Sequence, residues 1–212
     1  MAAPVIDVVV VAAGASRRMG GLDKLDAELE GRPLLAWSVE AMARAPSVRS
    51  VVVVAAPPRL ESLARARWLT ALDARVVEGG ATRSDSVRAG LSASDADVVL
   101  VHDGARPLAT PALAEAVAEA AAADGAAVPV IPVGDSLKQA DGGRVVRSVE
   151  RAGLVRAQTP QGARRELLIA AFEAAGGDSF TDEAALLEAS GVAVTTVPGE
   201  ASNLKVTEPA DL

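Results

Sequence analysis

The sequence has no cysteine and no tyrosine, a single histidine, and only 2% aromatic residues among its 212 positions. The absence of cysteine excludes disulfide bonds and metal sites with thiolate ligands, and it is typical of a reducing compartment such as the cytoplasm. No apolar run reaches the roughly 18 residues of a membrane-spanning helix, and no charged-then-apolar leader opens the chain. We therefore expect a soluble cytoplasmic protein without a membrane partner.

An excess of basic residues is also lacking, because 21 lysines and arginines stand against 28 aspartates and glutamates, a formal net charge of −7. Nucleic-acid-binding proteins usually carry a basic surface, so we expect no nucleic-acid partner. A small anionic ligand would need a local cluster of cations.

Half of the residues are hydrophobic, so Val, Ala and Leu must build the core in place of aromatics. The length favours one domain over residues 1–212. Strand candidates are Val5–Ala12, Ser50–Ala55, Arg75–Val77, Val98–His102 and Ala126–Val133, and helix candidates are Pro33–Ala45, Pro58–Leu69, Ser84–Ala93 and Pro111–Ala123. Their alternation predicts right-handed βαβ units, and hence an α/β fold of three layers, α/β/α, with a mostly parallel sheet.

Local signals support several helix starts. Pro33 and Pro111 stand where the first turn of a helix tolerates proline. Thr82 and Asp85 have the spacing of a capping box at the start of the third helix.

The alternation breaks after Val133, where two short strands, Ser136–Gln139 and Val145–Ser148, flank an Asp-Gly turn. This pattern predicts a β-hairpin arm at about 134–153, and because isolated hairpins are marginal in water we expect it to pack against another surface. The remaining candidates are a strand Val155–Gln158, a helix Arg164–Ala175, a helix Thr181–Ala189 and a strand Val192–Val197. Thr181 is expected to be the N-cap of the second of these helices. Glu208–Leu212 is expected to be the start of a helix, as in a chain trimmed at that end.

The most informative stretch is Ile6–Lys24, IDVVVVAAGASRRMGGLDK. A short β-branched run predicts a buried strand, and the small residues after it let a ligand reach backbone N–H groups, with Arg17, Arg18 and Lys24 close by. The spacing excludes a P-loop, and the missing Gly-x-Gly excludes a dinucleotide fingerprint. The stretch is similar to the amino-terminal signature of sugar-nucleotide-type nucleotidyltransferases.

Two later loops follow predicted strands. Glu78–Ser86, EGGATRSDS, has two glycines before a capped helix, which fits either a base-recognition loop or an ordinary turn. His102–Pro107, HDGARP, places Asp103 and Arg106 beyond a strand end, where open α/β sheets bind ligands. We expect His102 to be a hydrogen-bonding residue at the strand end rather than a catalytic base.

Taken in order, AAGASRRMG, Lys24, GGATRSDSV, VHDGARP, the hairpin, ERAGL, QTPQG, TDEA and NLKVT cover nearly the whole chain. Together they resemble the 2-C-methyl-D-erythritol 4-phosphate cytidylyltransferase family of the non-mevalonate isoprenoid pathway. The resemblance implies a Rossmann-like nucleotidyltransferase fold, CTP as cosubstrate, a divalent cation such as Mg²⁺, and a homodimer formed through the hairpin arm. It implies CDP-methylerythritol and pyrophosphate as products.

The resemblance also implies roles for individual residues. Arg18 and Lys24 would stabilise charge at the α-phosphate, and Arg151 and Lys205 would bind the methylerythritol phosphate. Nucleotide-binding positions would be Ala13, Gly14, Ala15, Gly80, Ala81, Arg83, Ser86 and Gly104. The substrate pocket would be completed by Asp103, Arg106, Thr159 and Thr181. No cluster of metal ligands stands out, so we expect Mg²⁺ to be held mainly by the CTP phosphates.

Several positions depart from the family pattern. Asp23-Lys24-Leu25-Asp26 is closer to molybdopterin nucleotidyltransferases, Ala81 stands where an acid is common, Gly104 where alanine is usual, and Ala163 where an aromatic is usual. Two alternatives therefore stay open: a cytidylyltransferase for another alditol phosphate such as ribitol 5-phosphate, and a nucleotide-binding module that has lost catalysis.

Overall fold

The valine-rich run near the amino terminus forms the central strand, because its β-branched side chains can be buried on both faces of a sheet. The computed structural model describes residues 3–14 and 24–212. Within them the strands are β1 Ile6–Ala12, β2 Glu28–Leu29, β3 Arg32–Pro33, β4 Val48–Ala55, β5 Arg75–Glu78, β6 Val98–Asp103, β7 Ala126–Pro132, β8 Leu137–Asp141, β9 Arg144–Val149, β10 Val155–Ala157, β11 Gln161–Arg164 and β12 Thr195–Pro198. The helices are α1 Leu34–Ala43, α2 Leu60–Ala64, α3 Arg67–Thr70, α4 Arg83–Ser92, α5 Pro111–Asp124, α6 Arg165–Ala174 and α7 Glu183–Ala189, with single 3₁₀ turns at Pro57–Arg59 and Pro209–Asp211.

Eight strands form the main sheet in the order β10-β7-β11-β6-β1-β4-β5, with β12 also paired to β7. Strand β1 pairs in parallel with β4 and β6, and β5 pairs in parallel with β4. Only β10 and β11 are antiparallel to their neighbours among the pairings of the described strands in this sheet. The predicted mostly parallel α/β sheet is confirmed.

Helices cover both faces of this sheet. Val8 and Val10 pack with α1, α2, α3 and α5 on one face, and Val9 packs with α4, α6 and α7 on the other. This alternation follows from the two-residue period of a strand. The predicted three-layer arrangement is therefore present, and no helix among the described residues is both long and apolar enough to span a bilayer.

An ion pair with a buried acid lies at the amino end of β1. Asp7 is fully buried, and its carboxylate accepts hydrogen bonds from Arg49 Nε at 3.0 Å, Arg49 NH2 at 2.7 Å and Ser94 Oγ at 2.6 Å. Arg49 also pairs with Asp95 at 2.5 Å. Hydrogen bonds to Asp7 and Asp95 raise the pKa of Arg49, so the group stays charged.

Four local predictions need correction. Helix α1 begins at Leu34, so Pro33 is its N-cap residue and not part of its first turn. The predicted helix Pro58–Leu69 is broken at Ala66, whose backbone is extended. Leu63 and Leu69 lie six residues apart and would point to different sides of a continuous helix, whereas the break lets both reach the core.

The other two corrections concern the second half of the chain. Asp182, not Thr181, is the N-cap of α7, and its side chain accepts a hydrogen bond from Ala185 N. Strand β11 was not predicted, and it inserts Gln161–Arg164 between β6 and β7. Gly162 permits this insertion, since a Cβ there would lie 2.6 Å from Leu100 Cδ2 and 2.9 Å from Val117 Cγ1.

The predicted hairpin arm is present as β8 and β9, which form a separate two-stranded sheet. Its turn contains Gly142 and Gly143 at φ +52° and +77°, a left-handed conformation that favours glycine. Val145 and Val146 on β9 are 66% and 60% exposed, so the arm presents apolar side chains to its surroundings.

Candidate active site

A cavity of about 420 Å³ opens at the carboxyl ends of β1, β5 and β6. It lies where the strand order reverses, because the chain goes from β1 to β4 and β5 on one side and then places β6 on the other. This is the position at which open α/β sheets bind ligands. Its lining residues are Val11, Ala13, Gly14, Lys24, Leu25, Gly80, Ala81, Thr82, Arg83, Ser86, Asp103, Gly104, Ala105 and Lys205.

The Gly79–Gly80 loop forms one wall and is held by the helix that follows it. Thr82 Oγ1 accepts a hydrogen bond from Asp85 N at 3.0 Å, and Asp85 Oδ2 accepts one from Thr82 N at 3.1 Å, which confirms the predicted capping box. A Cβ on Gly80 would lie 2.2 Å from Asp85 Cβ. The loop backbone therefore packs directly on the first turn of α4, and its surface towards the cavity is main chain.

The opposite wall is made by the carboxyl-terminal segment. Lys24 Nζ donates to Val206 O at 2.9 Å, and Val206 N donates to Ala105 O at 2.9 Å. Fully buried Asn203 fixes the same segment, since its Nδ2 donates to Thr159 O at 2.9 Å and its O accepts from Arg106 NH1 at 2.7 Å. Lys24 and Val206, which are 182 positions apart in the sequence, are joined by the first of these hydrogen bonds. This contact brings Lys24 and Lys205 to one cavity.

Asp103 is the centre of the charges in this cavity. Its carboxylate lies 2.7 Å from Lys205 Nζ and 3.6 Å from Arg83 NH2. Burial opposes the ionisation of Asp103, but the nearby charges of Lys205, Arg83 and Arg106 outweigh that cost and lower its pKa to about 2. Asp103 is therefore an anion at neutral pH and not a proton donor.

Arg83 is held on its other side by a buried acid. Arg83 NH1 and NH2 donate to the two carboxylate oxygens of Glu183 at 2.6 and 2.9 Å, a bidentate pairing. Burial disfavours the charge of both groups; even so, Glu183 raises the pKa of Arg83. Burial also raises the pKa of Glu183, although Arg83 opposes that shift.

His102 is a structural hydrogen-bonding residue, as predicted. It is fully buried, with Nδ1 at 3.1 Å from Thr159 Oγ1 and Nε2 at 3.3 Å from Arg106 O. Because the carbonyl Arg106 O can only accept, the neutral ring carries its proton on Nε2, and Nδ1 accepts from the hydroxyl of Thr159, whose oxygen accepts from Asp103 N at 3.0 Å. Burial lowers the pKa of His102 to about 4, which keeps the ring neutral.

The structure brings most of the predicted site residues into the cavity. Those that line it are Ala13, Gly14, Lys24, Gly80, Ala81, Arg83, Ser86, Asp103, Gly104 and Lys205. Arg106 and Thr159 lie behind the wall, where they bind Asn203 O and Asp103 N. Thr181 is exposed beside α7, and Arg151 is exposed at the base of the arm, where it donates to Gly134 O. Ala15 and Arg18 lie outside the described residues.

Sequence reasoning did not find several residues that shape the cavity. Val11, Leu25, Thr82 and Ala105 line it, Glu183 holds the lining residue Arg83 from behind, and Asn203 fixes the segment that carries Lys205. The motifs TDEA and NLKVT contain the last two, but no pattern in the sequence shows which member of a motif is buried. Their positions depend on contacts between segments about a hundred residues apart.

The donor set of the cavity bears on the predicted Mg²⁺. No group of three or more histidine or acidic side chains capable of binding a metal occurs among residues 3–14 and 24–212. The lining carboxylate that is described, Asp103, is already paired with Lys205. Mg²⁺ usually keeps several waters and binds through one or two carboxylates together with substrate phosphates, and a cavity with the single described lining carboxylate Asp103 fits such a mode.

Comparisons with known proteins agree with the geometry. The family model described as 2-C-methyl-D-erythritol 4-phosphate cytidylyltransferase matches residues 6–212. A protein of that name from Frankia casuarinae is 48% identical, over all of this chain and 80% of its own length. The bifunctional enzyme IspD/IspF of Anaeromyxobacter dehalogenans is 46% identical over 96% of this chain, which spans only 54% of that relative. The crystal structure of the cytidylyltransferase from Thermus thermophilus superposes with a TM-score of 0.80 at 38% identity, covering 96% of this chain and 93% of the other.

Proposed function

This chain belongs to the 2-C-methyl-D-erythritol 4-phosphate cytidylyltransferase family, and we propose from this that it transfers the cytidylyl group of CTP to 2-C-methyl-D-erythritol 4-phosphate. The products are CDP-methylerythritol and pyrophosphate, in the synthesis of isoprenoid precursors. The observation that carries the proposal is the cavity that joins a glycine-rich backbone wall to two lysines from opposite ends of the chain.

The reaction joins two phosphates and needs no general base. The second pKa of a phosphate monoester is about 6, so the attacking oxygen is already mostly deprotonated at neutral pH. That oxygen bonds to the α-phosphorus of CTP, the bond to the bridging oxygen breaks, and pyrophosphate leaves with the electron pair. The neutral, fully buried His102 fits this chemistry, because the site does not need its proton.

The barrier comes from bringing two anions together, so positioned cations supply the catalysis. We assign Lys24, together with Arg18, to the charge that develops at the α-phosphate. Lys205 and Arg151 bind the acceptor phosphate, and Asp103, Arg106, Thr159 and Thr181 complete the acceptor side. Asp103 holds Lys205 at 2.7 Å, which fixes the lysine where a phosphate can meet it.

Backbone groups do most of the nucleotide binding in this proposal. Ala13, Gly14 and Ala15 follow β1, whereas Gly80, Ala81, Arg83 and Ser86 form the opposite wall, with Gly104 at the floor. Close backbone walls suit a pyrimidine and leave little room for a purine. Mg²⁺ would be held mainly by the CTP phosphates and would neutralise charge there, and Asp103 is the described lining carboxylate that would support it.

We further propose a homodimer formed through the hairpin arm. The arm is a two-stranded ribbon with Val145 and Val146 exposed, and such a ribbon gains stability from a second surface. Arg151 closes the arm and lies outside the cavity of its own chain, so it acts in the partner's site. The absence of cysteine supports a cytoplasmic location, and the net charge supports small anionic substrates rather than nucleic acid.

A substrate panel tests the proposed function. The protein is incubated with Mg²⁺, each of the four NTPs, and either methylerythritol phosphate or ribitol 5-phosphate, and product masses are measured. We expect CDP-methylerythritol and pyrophosphate from one combination only. A ribitol product would show that the acceptor is assigned wrongly, whereas tight CTP binding without turnover would show that catalysis has been lost.

A further inference from the structure

Glu183 is a buried acid outside the cavity that the proposed reaction does not use directly. It is only 3% exposed, and both of its carboxylate oxygens accept hydrogen bonds from Arg83. A buried carboxylate is costly unless it is paired, so the position needs an explanation beyond packing.

Glu183 begins a chain of four alternating charges that ends at the acceptor side of the cavity. Arg83 NH1 lies 2.6 Å from Glu183, Arg83 NH2 lies 3.6 Å from Asp103, and Asp103 lies 2.7 Å from Lys205. The four residues come from α7, α4, β6 and the carboxyl-terminal segment. This series of alternating charges therefore links the nucleotide wall to Lys205, the lysine assigned to the acceptor phosphate.

The frame around Glu183 is rigid. Gln161 Oε1 accepts from Ala184 N at 2.8 Å, and Gln161 Nε2 donates to Asp182 Oδ2 at 3.2 Å. Gln161 lies on β11, which pairs with the strand that carries Asp103. Asp182 is the other acid near Arg83, but its carboxylate is used by Ala185 N and Gln161.

We propose that Glu183 is a positioning residue for the acceptor half of the reaction: it holds the guanidinium of Arg83 away from Asp103, so that Asp103 is left to orient Lys205. This inference rests on the proposed function. Without the charge of Glu183, Arg83 keeps Asp103 as its carboxylate partner within 4 Å. The present separation of 3.6 Å can then shorten to a hydrogen bond of about 2.8 Å, and Arg83 competes with Lys205 for Asp103.

The test separates charge from volume at one position. Glu183→Gln keeps the shape and removes the charge, whereas Glu183→Asp keeps the charge and removes one methylene. We expect E183Q to lower kcat/KM for methylerythritol phosphate about tenfold and to raise KM for CTP by less than that, because main-chain groups do most of the nucleotide binding in the wall to which Arg83 belongs. E183D should retain more acceptor activity than E183Q. A packing role predicts the reverse order, because E183D leaves a gap and E183Q does not.

A double-mutant cycle identifies the route of the effect. If Glu183 acts through Asp103, E183Q should cause no further loss of acceptor kcat/KM in an Asp103→Asn background. The matched control is Glu188→Gln, the same change at an exposed position of α7, which should behave as wild type. Thermal melts report folding, and should E183Q not fold, the cycle is run with E183D, whose smaller loss must also vanish in the D103N background.

The outcomes are distinct. Wild-type kinetics for E183Q, an E183D variant as impaired as E183Q, or additive losses with D103N would each overturn the role of Glu183. A wild-type protein that makes no product from CTP and methylerythritol phosphate would instead refute the proposed function itself.

Discussion

Replacing Gly80 by alanine should damage the nucleotide wall with little effect on the rest of the fold. A Cβ at this position would lie 2.2 Å from Asp85 Cβ, and carbon atoms in contact normally stay about 3.5–4.0 Å apart. The conflict is with an atom next to the backbone, and the capping box with Thr82 holds Asp85 in place. The loop must therefore move by roughly 1.3 Å or more, or the capping box must break.

The size of the kinetic effect follows from that displacement. A misplacement of about 1 Å at a site of positioned groups can cost about a hundredfold, so kcat/KM for CTP should fall by about 10², or roughly 2.7 kcal/mol of transition-state stabilisation. A broken capping box costs about 1 kcal/mol, which in a chain of this size lowers Tm by about 2–4 °C. Pyrophosphate release at varied CTP and circular dichroism melts measure the two effects separately.

The matched control is Gly134→Ala at the base of the arm. Gly134 has no atom within 4 Å of its added Cβ and no left-handed backbone, so the same methyl group should cost nothing there. If G80A keeps kcat/KM for CTP within about threefold of wild type, the loop does not contact the nucleotide and the proposed wall is wrong.

Three further predictions test other parts of the site. Lys24→Ala should lower kcat by about 10² or more in a protein that still folds, with Tm lowered by the loss of the hydrogen bond from Lys24 Nζ to Val206 O, and a rise in KM alone would show that Lys24 only binds. Lys24→Ala and Arg151→Ala should each be inactive alone, but a mixed dimer of the two variants should be active if Arg151 acts in the partner's site, because one of its two sites then has both residues intact. An inactive mixture in which subunit exchange is verified would place Arg151 in the site of its own chain. The pKa of His102 is about 4 in the folded protein and about 6.5 in the unfolded chain, so between these pH values the unfolded chain binds more protons at this residue. The free energy of unfolding should therefore fall by about 3 kcal/mol as the pH drops from about 6.5 to about 4. His102→Asn should remove this slope in denaturant titrations, and an unchanged slope would show that another group titrates.

The sequence predicted the parts of the fold that depend on local patterns. The apolar run Val8–Val10 forms a buried strand, and Thr82 and Asp85 form their capping box within a single turn. Most of the cavity-lining residues could be predicted from such local patterns as well, because the loops that follow parallel strands meet at one end of the sheet.

The misses depend on contacts between distant segments. Strand β11 contains Gln161, Gly162, Ala163 and Arg164, none of which favours a strand; its conformation comes from pairing with β6 and β7. Glu183 and Asn203 are polar residues whose buried side chains are hydrogen-bonded to partners 100 and 44 positions away in the sequence. No local period or propensity carries that information.

The pairing of Asp7 with Arg49 has a consequence for the opposite edge of the sheet. Strands β1 and β4 are nearly all valine where they pair, so sliding one along the other by two residues would exchange valine for valine and keep each face apolar. This shift would move Asp7 about 7 Å away from Arg49 and leave its carboxylate buried without its ion-pair partner. The loss of the pair would cost about 3–5 kcal/mol of stability. The same shift would displace Ala13 and Gly14 by the same distance, about 7 Å, relative to the Gly79–Gly80 loop. The ion pair of Asp7 and Arg49, although remote from the cavity, thus selects the strand register in which the Ala13–Gly14 loop and the Gly79–Gly80 loop lie opposite each other across the cavity.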